Sequence, residues 1–184
     1  MRKTIHLLLS GLLLIAVGCK QSTDLSADSS TENTTTVGEG QSAVQDDSST
    51  PNIVQVASKS KDHSTLVAAV KAADLVNSLS NAGPFTVFAP TNAAFDKLPA
   101  GTFEDLLKPE KKEALVDILS YHTYVGQLKT EYMQDGQEFD MVNGKKVKIT
   151  KKDGKVFVNG SEIVASIPTS NGIIHVINDV LLPK

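Results

Sequence analysis

The chain has 184 residues, of which 40% are hydrophobic and 21% charged, and its formal net charge at pH 7 is −3. This length accommodates one domain or at most two small ones. The single cysteine excludes a disulfide framework and a structural zinc site, which needs several thiolate or imidazole ligands. Because binding to phosphate backbones needs a basic surface, we expect no nucleic-acid partner.

The N-terminus has the pattern of a secretory signal peptide. Two basic residues follow the first Met, and an apolar run of twelve residues then extends from Leu7 to Gly18. A permanent membrane span needs about 20 apolar residues, so this run is too short for one. The small residues Ala16 and Gly18 before Cys19 resemble the bacterial lipobox, which implies a lipoprotein signal peptide over 1–18 and lipidation of Cys19. A plain signal peptide with an incidental cysteine and a short buried helix are the alternatives.

Residues 19–51 are expected to form a disordered acidic tether behind the lipidated cysteine. This segment has six acidic residues, one lysine and no aromatic residue, so it offers too little apolar surface to offset the entropy of ordering it. The remaining residues 52–184 carry 15 lysines and 15 Asp or Glu. Net charge therefore does not favour polyanion binding by this part, although a local basic patch remains possible.

The first half of 52–184 is predicted to consist mainly of short helices. Apolar residues at helical spacing indicate helices near residues 53–57, 64–73, 74–79, 91–98, 102–107 and 109–122. Ser64 and Thr91 are expected N-caps, and Thr102 with Asp105 has the pattern of a capping box. Pro109 is expected at the first position of the longest helix. Between these helices, the β-branched and aromatic residues 85–89 predict a short buried strand.

The second half is predicted to be a β meander. Val147 and Ile149 alternate with polar residues, which indicates a strand with one solvent-facing side. Asp153-Gly154 and Asn159-Gly160 are typical of tight turns between strands. The long apolar run over 172–182 predicts a central strand. Helices followed by strands indicate an α+β domain.

The sequence shows no pattern typical of an enzyme site. His63, His122 and His175 could act as bases, but no Gly-x-Ser-x-Gly nucleophile, metal-ligand spacing or glycine-rich phosphate loop accompanies them. We therefore expect no catalytic residues, no metal and no cofactor. His122 and His175 are interpreted as packed structural side chains, and a pocket shared by both rings would contradict that interpretation.

Three segments together resemble the fasciclin domain, an extracellular adhesion module. They are residues 85–95, the pair Tyr121-His122 and residues 171–183. The resemblance covers essentially all of 52–184 and implies a single fasciclin-like domain. Its expected fold is α+β, with a seven-stranded β wedge flanked by several short helices.

The resemblance also assigns roles to individual residues. The residues of the fold signature are Phe88, Pro90, Thr91, Asn92, Phe95, Asn171, Gly172 and His175. In this interpretation Thr91 and Asn92 cap the helix after the 85–89 strand, and Phe88 and Phe95 anchor the core. Gly172 provides the tight start of the last strand, where a larger residue lacks the necessary backbone freedom.

The function implied by the resemblance is adhesion. Tyr121, His122 and Tyr124 are the candidate binding residues, and the expected partner is an extracellular protein or polysaccharide, with weak self-association also expected. The chain is then a non-catalytic lipoprotein of the bacterial envelope, periplasmic or exposed on the cell surface and held on the lipid bilayer through acylated Cys19. The alternative is an envelope protein that binds a small ligand or acts under stress, with a pocket near His122 and His175.

Overall fold

The computed structural model describes residues 50–183, which form a mixed α+β domain with its helices mainly in the first half, as predicted. The predicted signal peptide, Cys19 and most of the acidic tether lie outside the described residues. No helix within 50–183 is both long enough and apolar enough to cross a membrane.

The helices are short, and their order follows the sequence prediction. They are α1 (Ile53–Lys59), α2 (Ser64–Ala72), α3 (Val76–Ser80), α4 (Asn92–Phe95), α5 (Thr102–Leu106) and α6 (Lys112–Tyr121), with 3-10 turns at Lys61–His63 and Pro109–Lys111. Pro109 therefore begins a 3-10 turn ahead of the longest helix rather than the helix itself.

Two predicted helix caps are wrong. Ser64 is the first residue inside α2 rather than its N-cap. The predicted box at Thr102 also fails, because Gly101 takes the N-cap position of α5 in a left-handed conformation with φ +83°. A reciprocal capping box does occur at α1, where the Asn52 side chain accepts the Gln55 N–H at 2.9 Å and the Gln55 side chain accepts the Asn52 N–H at 2.9 Å.

The strands form one seven-stranded sheet, as the resemblance implied. They are β1 (Phe85–Pro90), β2 (Thr123–Val125), β3 (Glu138–Asp140), β4 (Lys146–Lys152), β5 (Lys155–Val158), β6 (Ser161–Thr169) and β7 (Gly172–Ile177), in the order β2-β1-β7-β6-β5-β4-β3. Strands β1 and β7 are parallel and the other pairs are antiparallel. The last strand is internal, as predicted, but ends at Ile177 rather than near residue 182.

The sheet is nearly closed, because its two edges meet. The Val142 N–H, two residues after β3, donates a hydrogen bond to the Thr123 carbonyl on β2 at 2.9 Å. Beside this bond the ring of Tyr124 packs edge-on against Phe139, with 5.6 Å between ring centroids. This closure covers part of both edge strands.

Two apolar cores lie on opposite faces of β1 and β7, because successive side chains of a strand alternate between faces. Val87 and Ala89 pack with Ile174 against the helices. Phe88 packs with Ile177 on the other face, inside the curved sheet. Phe88 is completely buried, which stabilises the fold by about 1.5–3 kcal/mol relative to an exposed ring.

Candidate functional site

Tyr121, the first candidate binding residue, lies inside the domain with 4% of its surface exposed. Its hydroxyl donates to the Lys146 carbonyl at 2.8 Å and accepts from the Asn159 side-chain amide at 2.7 Å. The side chain thereby ties the end of α6 to β4 and to the turn after β5. Its position supports a structural role.

His122, the second candidate, is also buried, and both of its ring nitrogens are hydrogen-bonded. Nε2 accepts the Leu181 N–H at 3.0 Å, so the proton lies on Nδ1, which donates to the Ile118 carbonyl at 2.8 Å. Burial lowers the pKa of His122 to about 4, although the hydrogen bond to the Ile118 backbone acts in the opposite direction. The neutral ring holds the C-terminal segment against α6.

Tyr124, the third candidate, is half-buried at the closure between β2 and β3. Its ring lies on Phe139 and over Gly126, where an added Cβ would come within 2.5 Å of the ring. The exposed side chain of this strand belongs instead to its neighbour Val125, at 65%. All three candidates thus make internal contacts, and Val125 offers the free apolar surface beside them.

His175 is fully buried and stacks on Phe88, with 5.5 Å between ring centroids. Its Nε2 lies 2.6 Å from the Leu128 carbonyl and therefore donates to it, which leaves Nδ1 to accept from the Ser166 hydroxyl at 2.8 Å. Burial lowers the pKa of His175, against the effect of the hydrogen bond to Leu128. This histidine too is neutral and structural.

His122 and His175 do not share a pocket, because they lie on opposite faces of the sheet. His122 lines a cavity together with Val87 and Ala89. His175 stacks on Phe88, which alternates with those two residues along β1 and points the other way. The cavity beside His122 is apolar and measures about 30 Å³, whereas pockets for small molecules span roughly 300–1,000 Å³.

His63 is the third buried histidine of the domain. Its Nδ1 lies 2.8 Å from the Ser60 hydroxyl, while its Nε2 is buried with no hydrogen-bond partner among residues 50–183. Burial lowers the pKa of this ring, against the attraction of Asp62. Among residues 50–183 as a whole, no three His, Cys, Asp or Glu side chains come close enough together to hold a metal ion.

Asn92 acts as a helix cap, but for a different helix from the one predicted. Its Oδ1 accepts the Thr65 N–H at 3.0 Å and its Nδ2 donates to the Lys61 carbonyl at 2.9 Å, so it caps α2 from outside that helix. Thr91 is at the N-cap position of α4 but its side chain makes no capping bond. Phe95 packs edge-on against Phe103 at 5.0 Å, in agreement with its expected place in the core.

Asn171 and Gly172 join the last strand to the helices and to β1. The Asn171 side chain accepts the Ile53 N–H at 2.9 Å and donates to the carbonyls of Leu79 and Asn81 at 2.8 and 2.9 Å. A Cβ at Gly172 would overlap the Phe85 carbonyl oxygen. Only glycine fits there, which explains this signature residue.

A groove of about 850 Å³ opens near the ends of β7 and α6, and the sequence analysis did not predict it. Its walls are the start of β4, the turn between β5 and β6, and the C-terminal segment. Because three lysines line it, Lys145, Lys146 and Lys148, we call it the lysine groove. The sequence feature that could have indicated this groove is the segment 145–155, which contains six of the 15 lysines of 52–184.

The structure is a nearly closed seven-stranded sheet flanked by short helices, and Asn171 and Gly172 join its last strand to the helices and to β1. This architecture defines the fold class of the chain. The model of the fasciclin domain matches residues 61–183. The chain therefore belongs to the fasciclin domain family.

The chain is similar to several proteins of this kind. It is 53% identical over 132 residues to protein sll1483 of Synechocystis sp., covering 71% of this chain and 73% of that protein. It is 36% identical over 124 residues to human periostin, covering 66% of this chain and 15% of periostin. It is 39% identical over 110 residues to the cell surface glycolipoprotein MPB83 of Mycobacterium bovis, covering 60% of this chain and 48% of that protein.

The fold has a solved counterpart. A structure of a FAS1 domain pair from the insect cell adhesion molecule Fasciclin I superposes with a TM-score of 0.60 and 17% sequence identity. The match covers 72% of this chain and 51% of that chain. At this identity the match demonstrates the common fold.

Proposed function

We propose that this protein is a non-catalytic adhesion module, held on the bacterial envelope by a lipid on Cys19 and presented by the acidic tether. Membership in the fasciclin domain family carries the proposal. Two similar proteins add support: Fasciclin I is described as a cell adhesion molecule, and MPB83 as a cell surface glycolipoprotein.

The anchor and the tether suit weak contacts made in large numbers. An acyl chain contributes about 0.8 kcal/mol per buried CH₂, which gives a firm hold on the bilayer when more than one chain is attached. Many copies held on one surface can then bind a partner together, and the combined affinity exceeds that of each domain. Weak self-association between neighbouring copies is compatible with the same arrangement.

The alternative function, binding of a small ligand near His122 and His175, has less support from the geometry. The two rings lie on opposite faces of the sheet, each with its own hydrogen-bond partners. The cavity beside His122 is far smaller than a metabolite. We therefore propose adhesion as the function.

The test compares bacterial cells that express the full chain, its Cys19→Ser variant, or neither. We expect the unmodified chain in the membrane fraction and increased cell attachment to coated surfaces under flow. Cys19→Ser should shift the protein out of that fraction and return attachment to background. Gln21→Ala, two residues away, is the matched control and should behave as the unmodified chain. Attachment no higher than that of cells lacking the protein would overturn the adhesive function.

A further inference from the structure

We propose that the lysine groove, together with the outer face of the β4–β5 hairpin, binds acidic polysaccharide. This inference rests on the proposed adhesive function and assigns a surface and a partner class to it. It is carried by the placement of lysines on the sheet, by the ion pairs that they make or lack, and by the other groups on that surface.

The strand register places the lysines in one row. Val147 and Ile149 of β4 are completely buried, so the residues that alternate with them point outwards. The outward residues are Lys146, Lys148, Thr150 and Lys152. Successive outward residues are about 7 Å apart along a strand, so the row continues from the groove to the tip of the hairpin.

The neighbouring strand adds another positive charge to this row. Lys155 on β5 lies directly opposite Lys152 in the antiparallel pair, and directly opposed side chains share a face of the sheet. Like charges directly opposite each other destabilise a strand pair. The hairpin thus maintains a local repulsion that an anionic partner would relieve.

Several of these lysines are not neutralised within the domain. Lys145, Lys148 and Lys152 form no ion pair with any residue between 50 and 183, while Lys146 lies 3.6 Å from Glu138 and Lys155 lies 2.7 Å from Glu162. The Lys146–Glu138 pair is exposed and contributes little. The Glu162 side chain is only 23% exposed, so Lys155 is the more firmly paired of the two lysines. On the same face, β3 places Glu138 opposite Lys148 and Asp140 opposite Lys146. With Glu162, three carboxylates thus lie beside the five lysines of the groove and the row, and an excess of positive charge remains.

The carboxylate that lines the groove does not cancel this charge. Asp179 lies on the C-terminal wall, and its carboxylate is held by the Lys97 ammonium at 2.7 Å. Lys97 does not line the groove, so it neutralises Asp179 without using a groove lysine. The described part of the domain is close to neutral, and its positive charge is therefore local rather than spread over the surface.

The chemistry of this surface favours a polysaccharide over a nucleic acid. The only arginine of the chain is Arg2, so the domain lacks the bidentate guanidinium groups that suit phosphate. On the outer face of the hairpin, Phe157 lies directly opposite Thr150 and is half-buried. One such ring can stack on one sugar face, whereas single-stranded nucleic acids are bound by several rings that stack successive bases.

The polar side chains at the groove are already engaged, which makes the binding depend mainly on charge. Asn159 uses its amide on Tyr121 and its oxygen on the Lys148 N–H, and the Ser161 hydroxyl bonds to Asn178. Few free hydrogen-bond donors therefore remain that could distinguish one sugar from another. We therefore expect weak binding to polymers that carry regularly spaced carboxylates, strengthened by many tethered copies.

The experiment measures binding of the full chain to immobilised alginate, a linear polyuronate, with dextran as the neutral counterpart. We expect binding to alginate and not to dextran, and a steep loss of binding when salt is raised to shorten the screening length. The variant Lys148→Gln/Lys152→Gln should bind roughly tenfold more weakly, which corresponds to about 1.4 kcal/mol for the two lysines together. The matched control Lys59→Gln/Lys129→Gln changes net charge equally at exposed lysines elsewhere and should bind as the unmodified chain does.

A further variant separates charge from folding. Lys148→Arg/Lys152→Arg keeps both charges and should retain alginate binding, with melting temperatures of all variants recorded alongside. Equal weakening by both glutamine pairs would overturn the proposal, because the effect would then follow net charge alone. Stronger binding to single-stranded DNA than to alginate would also overturn it. If cells bearing the protein attach to surfaces but the purified chain does not bind alginate, this inference is wrong while the adhesive function stands.

Discussion

The side-chain oxygen of Asn171 accepts a hydrogen bond from the backbone N–H of Ile53, 118 residues earlier in the chain, at 2.9 Å. The amide nitrogen of the same side chain donates to the carbonyls of Leu79 and Asn81. One side chain thus satisfies the start of α1 and the end of α3 at the point where β7 begins. These groups are buried or partly buried, so water replaces Asn171 poorly.

The first prediction concerns this junction. Asn171→Ala should lower the free energy of unfolding by about 3 kcal/mol, because the buried Ile53 N–H and Leu79 carbonyl would lose their partner. Urea unfolding of the variant measures this loss. Gln134→Ala, at an exposed position, should change stability by less than about 0.5 kcal/mol. A similar small effect at both positions would contradict the role given to Asn171.

The second prediction concerns Gly172. An alanine Cβ there would overlap the Phe85 carbonyl oxygen and lie 2.7 Å from its carbon, and both atoms belong to a central strand that cannot move aside. Gly172→Ala should therefore cost about 3 kcal/mol or more, measured as a fall in melting temperature. Gly144→Ala serves as the comparison, since it has open space and only the strain of φ +77°, about 1–2 kcal/mol. Equal losses at the two glycines would show that close packing at Gly172 is not decisive.

The third prediction concerns pH. Folding lowers the pKa of His122 from 6.5 to about 4, so between these values the unfolded chain binds a proton that the folded chain does not. The free energy of unfolding should therefore decrease by about 3 kcal/mol from this ring alone as the pH falls from 6.5 to 4. Above pH 6.5 the ring should not change it. Burial lowers the pKa of His175 and His63 as well, which adds a slope of the same sign.

Urea unfolding across this pH range, on the unmodified chain and on His122→Asn, isolates the contribution of His122. The variant will be less stable at every pH, but its dependence on pH should be visibly flatter. In the unmodified chain, nitrogen NMR should show a neutral ring protonated on Nδ1 at pH 5.5. An unchanged slope in the variant, or a charged ring at that pH, would refute the assignment.

The fourth prediction separates the structural from the adhesive role of Tyr121. Tyr121→Phe keeps the ring but removes the bonds to the Lys146 carbonyl and the Asn159 amide, so it should destabilise the domain by about 1–2 kcal/mol. Because the side chain is buried, attachment of cells that carry the folded variant should match that of the unmodified chain. Loss of attachment with stability intact would instead indicate a direct contact with the partner.

Much of the fold could be predicted from local patterns. Strand β4 was predicted from Val147 and Ile149, which alternate with polar residues, and β1 from its β-branched residues. Both predictions were possible because burial on one or both faces of a strand produces a recognisable pattern of apolar residues. Strands β2 and β3 have three residues each, too few to show a period. The cap of α2 could not be found near Ser64 because Asn92, 27 residues after Thr65, provides it.

The candidate sites were harder to predict from the sequence than the fold was. Tyr121 and Tyr124 are close in the chain, yet one is buried and the other half-buried, because the helix end and the closure of the sheet decide where each ring points. The lysines of 145–155 were visible as a charged segment. Their common face, and the opposition of Lys152 and Lys155, depend on the hairpin register.

The last strand of the chain lies between β1 and β6 in the middle of the sheet, and β1 has its parallel partner there. Contacts between segments so far apart in sequence form slowly, since a long loop must close before they stabilise anything. A chain emerging N-terminus first therefore lacks the centre of its sheet until residues 172–177 arrive. Up to that moment the pair β2-β1 and the meander β6-β5-β4-β3 lack the strand that joins them.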